Sequence, residues 1–171
     1  MWPSTSWTWA TDVAVLAGRR SSSTGRDRTA GFVDRFAEAG VRIDPTAIVP
    51  TAFDTRGGRN GMQEILSKAE PPAAVFAVND FTAIGAKGAI RDHGLTVGRD
   101  IALAGYNDTA LAAELPIALT TVRSPMRQMG QEAMTMLARL INGQTVQSHR
   151  LTPALVVRDS TAGEAPTCCP D

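Results

Sequence analysis

At 171 residues the chain suits one domain with a buried core of its own. Hydrophobic residues at 43% and charged residues at 20% describe a globular protein rather than a disordered one. Its 17 lysines and arginines balance 17 aspartates and glutamates, so no electrostatic footprint for nucleic acid or an anionic membrane stands out, and no apolar run approaches the ~20 residues of a membrane helix.

Residues 1–11 read as an irregular leader. Trp2, Trp7 and Trp9 lie there, without the basic and apolar regions of a secretory signal. Residues 12–18 are an apolar run closed by glycine, which predicts a buried parallel strand. A polar loop follows, then a helix over 25–39 with Ala30, Val33, Phe36 and Ala37 on one face, stopped by Gly40. Residues 46–49 predict a second brief strand. Asp54 or Thr55 caps a helix that carries Met62, Ile65, Leu66 and Ala69 and ends before Pro71 and Pro72. Residues 73–78 predict a third strand. The next helix opens at Asn79 and Asp80 and closes at His93 and Gly94. A fourth strand over 100–106 runs into the polar turn Asn107 and Asp108, and 119–122 predict a short strand. The helix over 126–141 has Met129, Ala133, Met136, Leu137 and Leu140 on one side, and 151–157 form the last strand. The lobe is placed at 12–160 and a disordered tail, starting around Ser160, at 161–171. Cys168 and Cys169 read as free thiols in that tail, in keeping with a reducing, cytoplasmic setting.

Strands alternating with helices predict an α/β fold, a mostly parallel sheet with helices on both faces. In such sheets ligands sit in the crevice beyond the carboxyl ends of the strands. That rule points to loops 18–25, 50–55, 79–81 and 105–109. Catalytic motifs fail in turn: there is no G-x-S-x-G, H-E-x-x-H or C-x-x-C. The 18–25 loop has six residues between its glycines and no lysine after the second, so it is not a phosphate loop. His93, next to a helix-ending glycine, reads as a structural cation at a helix carboxyl end. No enzyme activity, metal or cofactor is expected.

The loops carry the chemistry of a carbohydrate site. Planar polar side chains bond to neighbouring hydroxyls, and an aromatic ring covers the apolar face of a sugar. The candidates are Arg28, Phe53, Asn79, Asp80, Asn107 and Asp108. Each also has a plainer reading. Arg28 can be a solvated helix residue and Phe53 a core plug. Asn79 and Asp80 can be helix caps, and Asn107 with Asp108 only a turn.

Several segments resemble one family. Residues 13–18 and 23–32 resemble the strand, loop and helix that open the second lobe of LacI/GalR-type regulators. Residues 74–80 with Ala83, Ile84, Gly85 and Ala86 are similar to the family's hallmark strand and helix. Residues 94–108, then 119–125 with Met129 and Gly130, continue it in order, so the resemblance covers roughly 12–160. It implies one lobe of a periplasmic-binding-protein-like sensor plus a crossover helix. In the family that sensor is two-lobed and dimeric, binds a small-molecule effector between its lobes, and follows an amino-terminal helix-turn-helix. Carried over, Arg28 falls at the effector-gripping arginine, Phe53 at a pocket aromatic and Asn79 at a pocket-lining Asn or Asp. Asn107 stands where the family usually has an effector-binding Asp, which leaves the choice between Asn107 and Asp108 open. The sequence thus reads as the carboxy-terminal, sugar-sensing half of a bacterial regulator, contacting DNA only through a missing amino-terminal domain and touching no membrane. The helix over 126–141 would then lack its home lobe, and burial through a homodimer is expected. A transporter's solute-binding protein is the competing reading, and it would need a secretory signal.

Overall fold

The computed structural model describes residues 12–68 and 70–162. The leader, Ala69 and the tail with its two cysteines lie outside the described residues. All five residues of β1 (Val13–Ala17) are buried. A run that is apolar on both faces has to be covered on both faces, which makes it a central strand. The chain continues through α1 (Ser23–Glu38), β2 (Ile48–Pro50), α2 (Thr55–Lys68), β3 (Ala74–Ala77), α3 (Asp80–Asp92), β4 (Ala102–Asn107), α4 (Ala110–Glu114), β5 (Thr120–Arg123), α5 (Met126–Ile141) and β6 (Ala154–Val156). The sheet order is β2-β1-β3-β4-β5-β6. β1 to β5 run parallel, and only β6 is antiparallel, on β5.

The period of two along each strand divides the core. Ala14, Leu16, Val75, Ala77 and Leu103 face α2 and α3, where Met62, Ala86 and Ile90 complete one cluster. Val13, Val15, Ala17 and Phe76 face the other way, against Phe32, Val33 and Phe36 of α1. Helices therefore cover both faces, as expected. The rings of Phe32 and Phe76 stack at 4.5 Å, which fixes α1 over β3. All the parallel strands end at one edge, so the loops after β1, β2, β3 and β4 converge there.

Local chemistry sets most boundaries. Ser22 caps α1 at Gly25, and Asp54, as expected, caps α2 through the N–H of Gly57 at 2.6 Å. His93 ends α3 with its ring Nδ1 2.9 Å from the carbonyl of Ala89, a structural placement. Two expectations need correction, and one element was not expected. The strand expected at 46–49 is a 3-10 turn, Pro45–Ala47, followed by β2. Asp44 caps Thr46 at 2.8 Å, and proline stands at the first helical position, so the chain curls before it extends. The five-residue α4 was not foreseen, because one turn shows no periodicity.

Ser160 does not begin a disordered tail. It is 1% exposed, its hydroxyl donates to the Leu103 carbonyl at 2.6 Å, and it accepts from the Thr120 N–H at 2.8 Å. The chain after β6 thereby bridges β4 and β5. Ser160→Ala is expected to cost about 1–3 kcal/mol by leaving two buried groups unpaired. Urea unfolding measures this, and a loss below ~0.5 kcal/mol would mean the bridge carries no stability.

α5 matches the expected 126–141. It has no buried residue, and Met126, Met129, Met134, Leu137, Leu140 and Ile141 are all exposed.

Candidate functional site

Arg28 lies in the second turn of α1, whose first turn faces the carboxyl edge of the sheet. Its Nη1 donates to the carbonyl of Val78, just after β3, at 2.9 Å. Its Nη2 donates to Oδ1 of Asn107, at the end of β4, at 3.0 Å. The guanidinium lies 3.9 Å from the centre of the Tyr106 ring, a cation–π contact. Burial pushes its pKa below the ordinary arginine value, opposed by Tyr106 and the Asp80 carboxylate. It stays protonated throughout. A concavity of about 360 Å³ opens beside it, lined mainly by the apolar surfaces of Phe32, Phe76, Tyr106 and Val122. A charged fork beside flat apolar rings can bond to hydroxyls while covering a sugar's C–H face.

The other candidates occupy the same edge in different roles. Asn79 is 6% exposed and caps α3, its Oδ1 accepting from the Thr82 N–H at 2.8 Å. Its Nδ2 donates to the Phe53 carbonyl at 3.0 Å. Asn79 therefore joins the loop after β2 to the start of α3. The Phe53 ring lies over Gly18 and Gly25, where added β-carbons would stand 2.5 and 3.2 Å from its Cζ. Two glycines opposite the ring let the start of α1 approach β1 beneath it. Phe53 thus sits at the α1 end of the edge, apart from the Tyr106 concavity.

Asp108 turns away from Arg28. Arg123 donates to its Oδ2 at 2.5 Å and Arg158 to its Oδ1 at 2.6 Å. The Asp108 side chain is 8% exposed, and both its oxygens are engaged. Burial pushes its pKa up, but hydrogen bonds and charge from Arg123 and Arg158 outweigh this and hold the carboxyl below its ordinary value. Of the adjacent pair, Asn107 is the one that faces the arginine of α1. Asp80, fully buried, accepts from the hydroxyl of Thr121 and the N–H of Thr109 beneath the same turn.

The sequence reading missed Tyr106, Arg123 and Arg158 as parts of the site. Tyr106 was legible in principle: the β4 alternation puts it on the face of Ala104, toward Phe76. The two arginines carry no such signal, because the β4–β5 register sets Arg123 beside the turn and β6, paired on β5, brings Arg158 to Asp108.

The fold and this edge define a single lobe of an open α/β ligand-binding architecture, with its polar groups gathered beyond the carboxyl ends of a parallel sheet. Comparison with known proteins makes the assignment specific. The family described as periplasmic binding protein-like domain matches residues 10–161. The chain belongs to that family, and its relatives there are LacI-type regulators. It is 33% identical to the ribose operon repressor of Haemophilus influenzae over 150 residues, 86% of this chain and 45% of that protein. It is 35% identical to the HTH-type transcriptional repressor PurR of Escherichia coli O1:K1 / APEC, over 88% of this chain and 45% of that one. The solved complex of the transcriptional regulator CelR with cellobiose superposes with a TM-score of 0.82 at 31% identity, over 87% of this chain and 46% of that one. The chain thus spans about half the length of the curated relatives it matches.

Proposed function

We propose that this chain is the effector-sensing lobe of a bacterial, cytoplasmic transcription regulator. It holds one side of a sugar-like small polar molecule at the carboxyl edge of its sheet. Arg28 is the principal grip, Asn107 orients it and can donate or accept toward hydroxyls, Tyr106 offers an apolar face, and Phe53 packs the neighbouring loop against the start of α1. Asp108 keeps the turn in place rather than contacting the ligand. The regulator works as a homodimer that reads DNA through a separate domain, and effector closure against a second lobe biases that reading. The observation that carries the proposal is the half-buried Arg28, held by Val78 and Asn107 against Tyr106. The cellobiose complex of a relative at 31% identity supports the sugar class.

The test is an NMR titration of the chain with D-ribose, D-galactose and cellobiose in turn. At least one is expected to shift the signals of Arg28, Tyr106 and Asn107, and Arg28→Gln is expected to weaken that ligand about 100-fold, the loss of a charge-assisted bidentate contact. Perturbation mapping elsewhere, or equal binding by the variant, would sink the assignment.

A further inference from the structure

Asp80 is 0% exposed, yet among the described residues no cation bonds to it directly. It is the first residue of α3, after the cap Asn79, where the helix dipole favours a negative charge. Its oxygens do not serve the helix alone. Oδ2 accepts from the N–H of Thr109 at 2.7 Å, and Oδ1 accepts from the Thr121 hydroxyl at 2.6 Å. The Thr121 oxygen accepts in turn from the N–H of Asp108 at 3.3 Å. One carboxylate, directly and through one hydroxyl, therefore holds two consecutive backbone N–H groups. The carboxylate lies against Gly105 of β4, where a β-carbon would come 2.6 Å from Oδ1.

The residues so held are the unusual ones. Asn107 and Asp108 have φ of 116° and 56°, the only positive φ values at non-glycine positions among the described residues. Side chains enter that region reluctantly, Asn and Asp least so, and they persist there when their surroundings over-determine them. Here the conformation aims Asn107 Oδ1 at Arg28. An extended Asn107 would point elsewhere and leave the Nη2 of Arg28 without that acceptor.

We infer that Asp80 is a positioning residue of the effector cleft: through Thr121 and the Thr109 N–H it fixes the left-handed Asn107–Asp108 turn, and so sets the Arg28 grip. This rests on the reading of Arg28 and Asn107 as the ligand-facing pair. It ties the first turn of α3 to the site, so a movement of α3 changes the presentation of Asn107.

The test follows the Arg28 guanidinium itself, by side-chain 15N NMR on the full chain without ligand. Hydrogen exchange of the Arg28 Nη2 protons is expected to be slow in the unaltered protein and about tenfold faster in both Thr121→Val and Asp80→Asn, the effect of losing the bonds that hold the turn. Thr121→Ser, which keeps the hydroxyl, is expected to restore slow exchange. Ser160→Ala destabilises the neighbouring strands without touching the relay and is expected to leave Arg28 exchange unchanged. The proposal is overturned if a folded Thr121→Val or Asp80→Asn exchanges within twofold of the original, or if Ser160→Ala accelerates Arg28 equally. Because no ligand is present, failure here leaves the effector reading to its own titration, and failure of that titration leaves this measurement standing.

Discussion

Gly85→Ala is expected to lower the stability of the chain by about 3 kcal/mol, although alanine is the better helix former by about 1 kcal/mol. Gly85 lies inside α3 where that helix crosses α2, and a β-carbon there would overlap the carbonyl oxygen of Thr55 and stand 2.8 Å from the N–H of Arg59. Gly58 makes the reciprocal approach, with a β-carbon overlapping the carbonyl of Thr82. These neighbours are backbone, so no side chain can swing aside and the helices must part. Parting them strains the bonds that cross the same junction, from Asn79 Nδ2 to the Phe53 carbonyl and from the Thr82 hydroxyl to the Ala52 carbonyl. The loss therefore reaches the carboxyl edge of the sheet. Gly31→Ala in α1 is the control, since nothing lies within 4 Å of its added carbon. It is expected to stabilise by roughly 0.5–1 kcal/mol. Urea midpoints of the two variants should move in opposite directions. A shift in the same direction would mean that the α2–α3 crossing tolerates a methyl group.

Asp108→Asn is expected to cost about 2–3 kcal/mol at neutral pH, because it removes the charge that two guanidinium groups share. The substitution keeps a side chain that tolerates positive φ, so the loss reports the ion pairs rather than backbone strain. Most of it comes from Arg158, whose side chain is 16% exposed and which also bonds to the Leu119 carbonyl, while Arg123 at 59% remains largely solvated. The sign of the pH dependence follows from the lowered carboxyl. The folded state releases its proton more readily than the unfolded chain, so the contribution is fully present above the unfolded value near ~4 and fades as pH falls through the folded one. The stability gap between the original chain and Asp108→Asn should therefore be flat from neutrality down to about pH 5 and narrow below about pH 4. A gap that stays constant through acid, or is absent at neutrality, would remove Asp108 as the latch of this turn.

That latch has a place in the chain path. β5 ends at Arg123 and leads into α5, and β6, followed closely by Arg158, brings the chain back to the sheet. Asp108 grips both the outgoing and the returning segment, one residue from the asparagine that meets Arg28. Any force on the Asn107–Asp108 turn is therefore felt at the end of β5 and just after β6.

The alternation of apolar runs with amphipathic segments was enough to place five of the six strands, to bring β2 within two residues, and to place four of the five α-helices, because period two and period 3.6 are local properties that burial on one face imposes on a few neighbours. α5 is the clearest case: its stripe marks 126–141 even though none of its residues is buried. Local pattern was enough, too, for Asn79 as a cap, since an amide before a helix has a short-range task. What only the tertiary structure decided is which polar groups meet. Arg28 reaches Asn107 across 79 positions of sequence, Asp108 reaches Arg158 across 50, and Asp80 reaches Thr121 across 41. No local period encodes those distances. They exist because parallel strands in the order β2-β1-β3-β4-β5-β6 bring their carboxyl ends to one edge. Once there, a buried charge or a strained turn persists only where partners from several strands satisfy it.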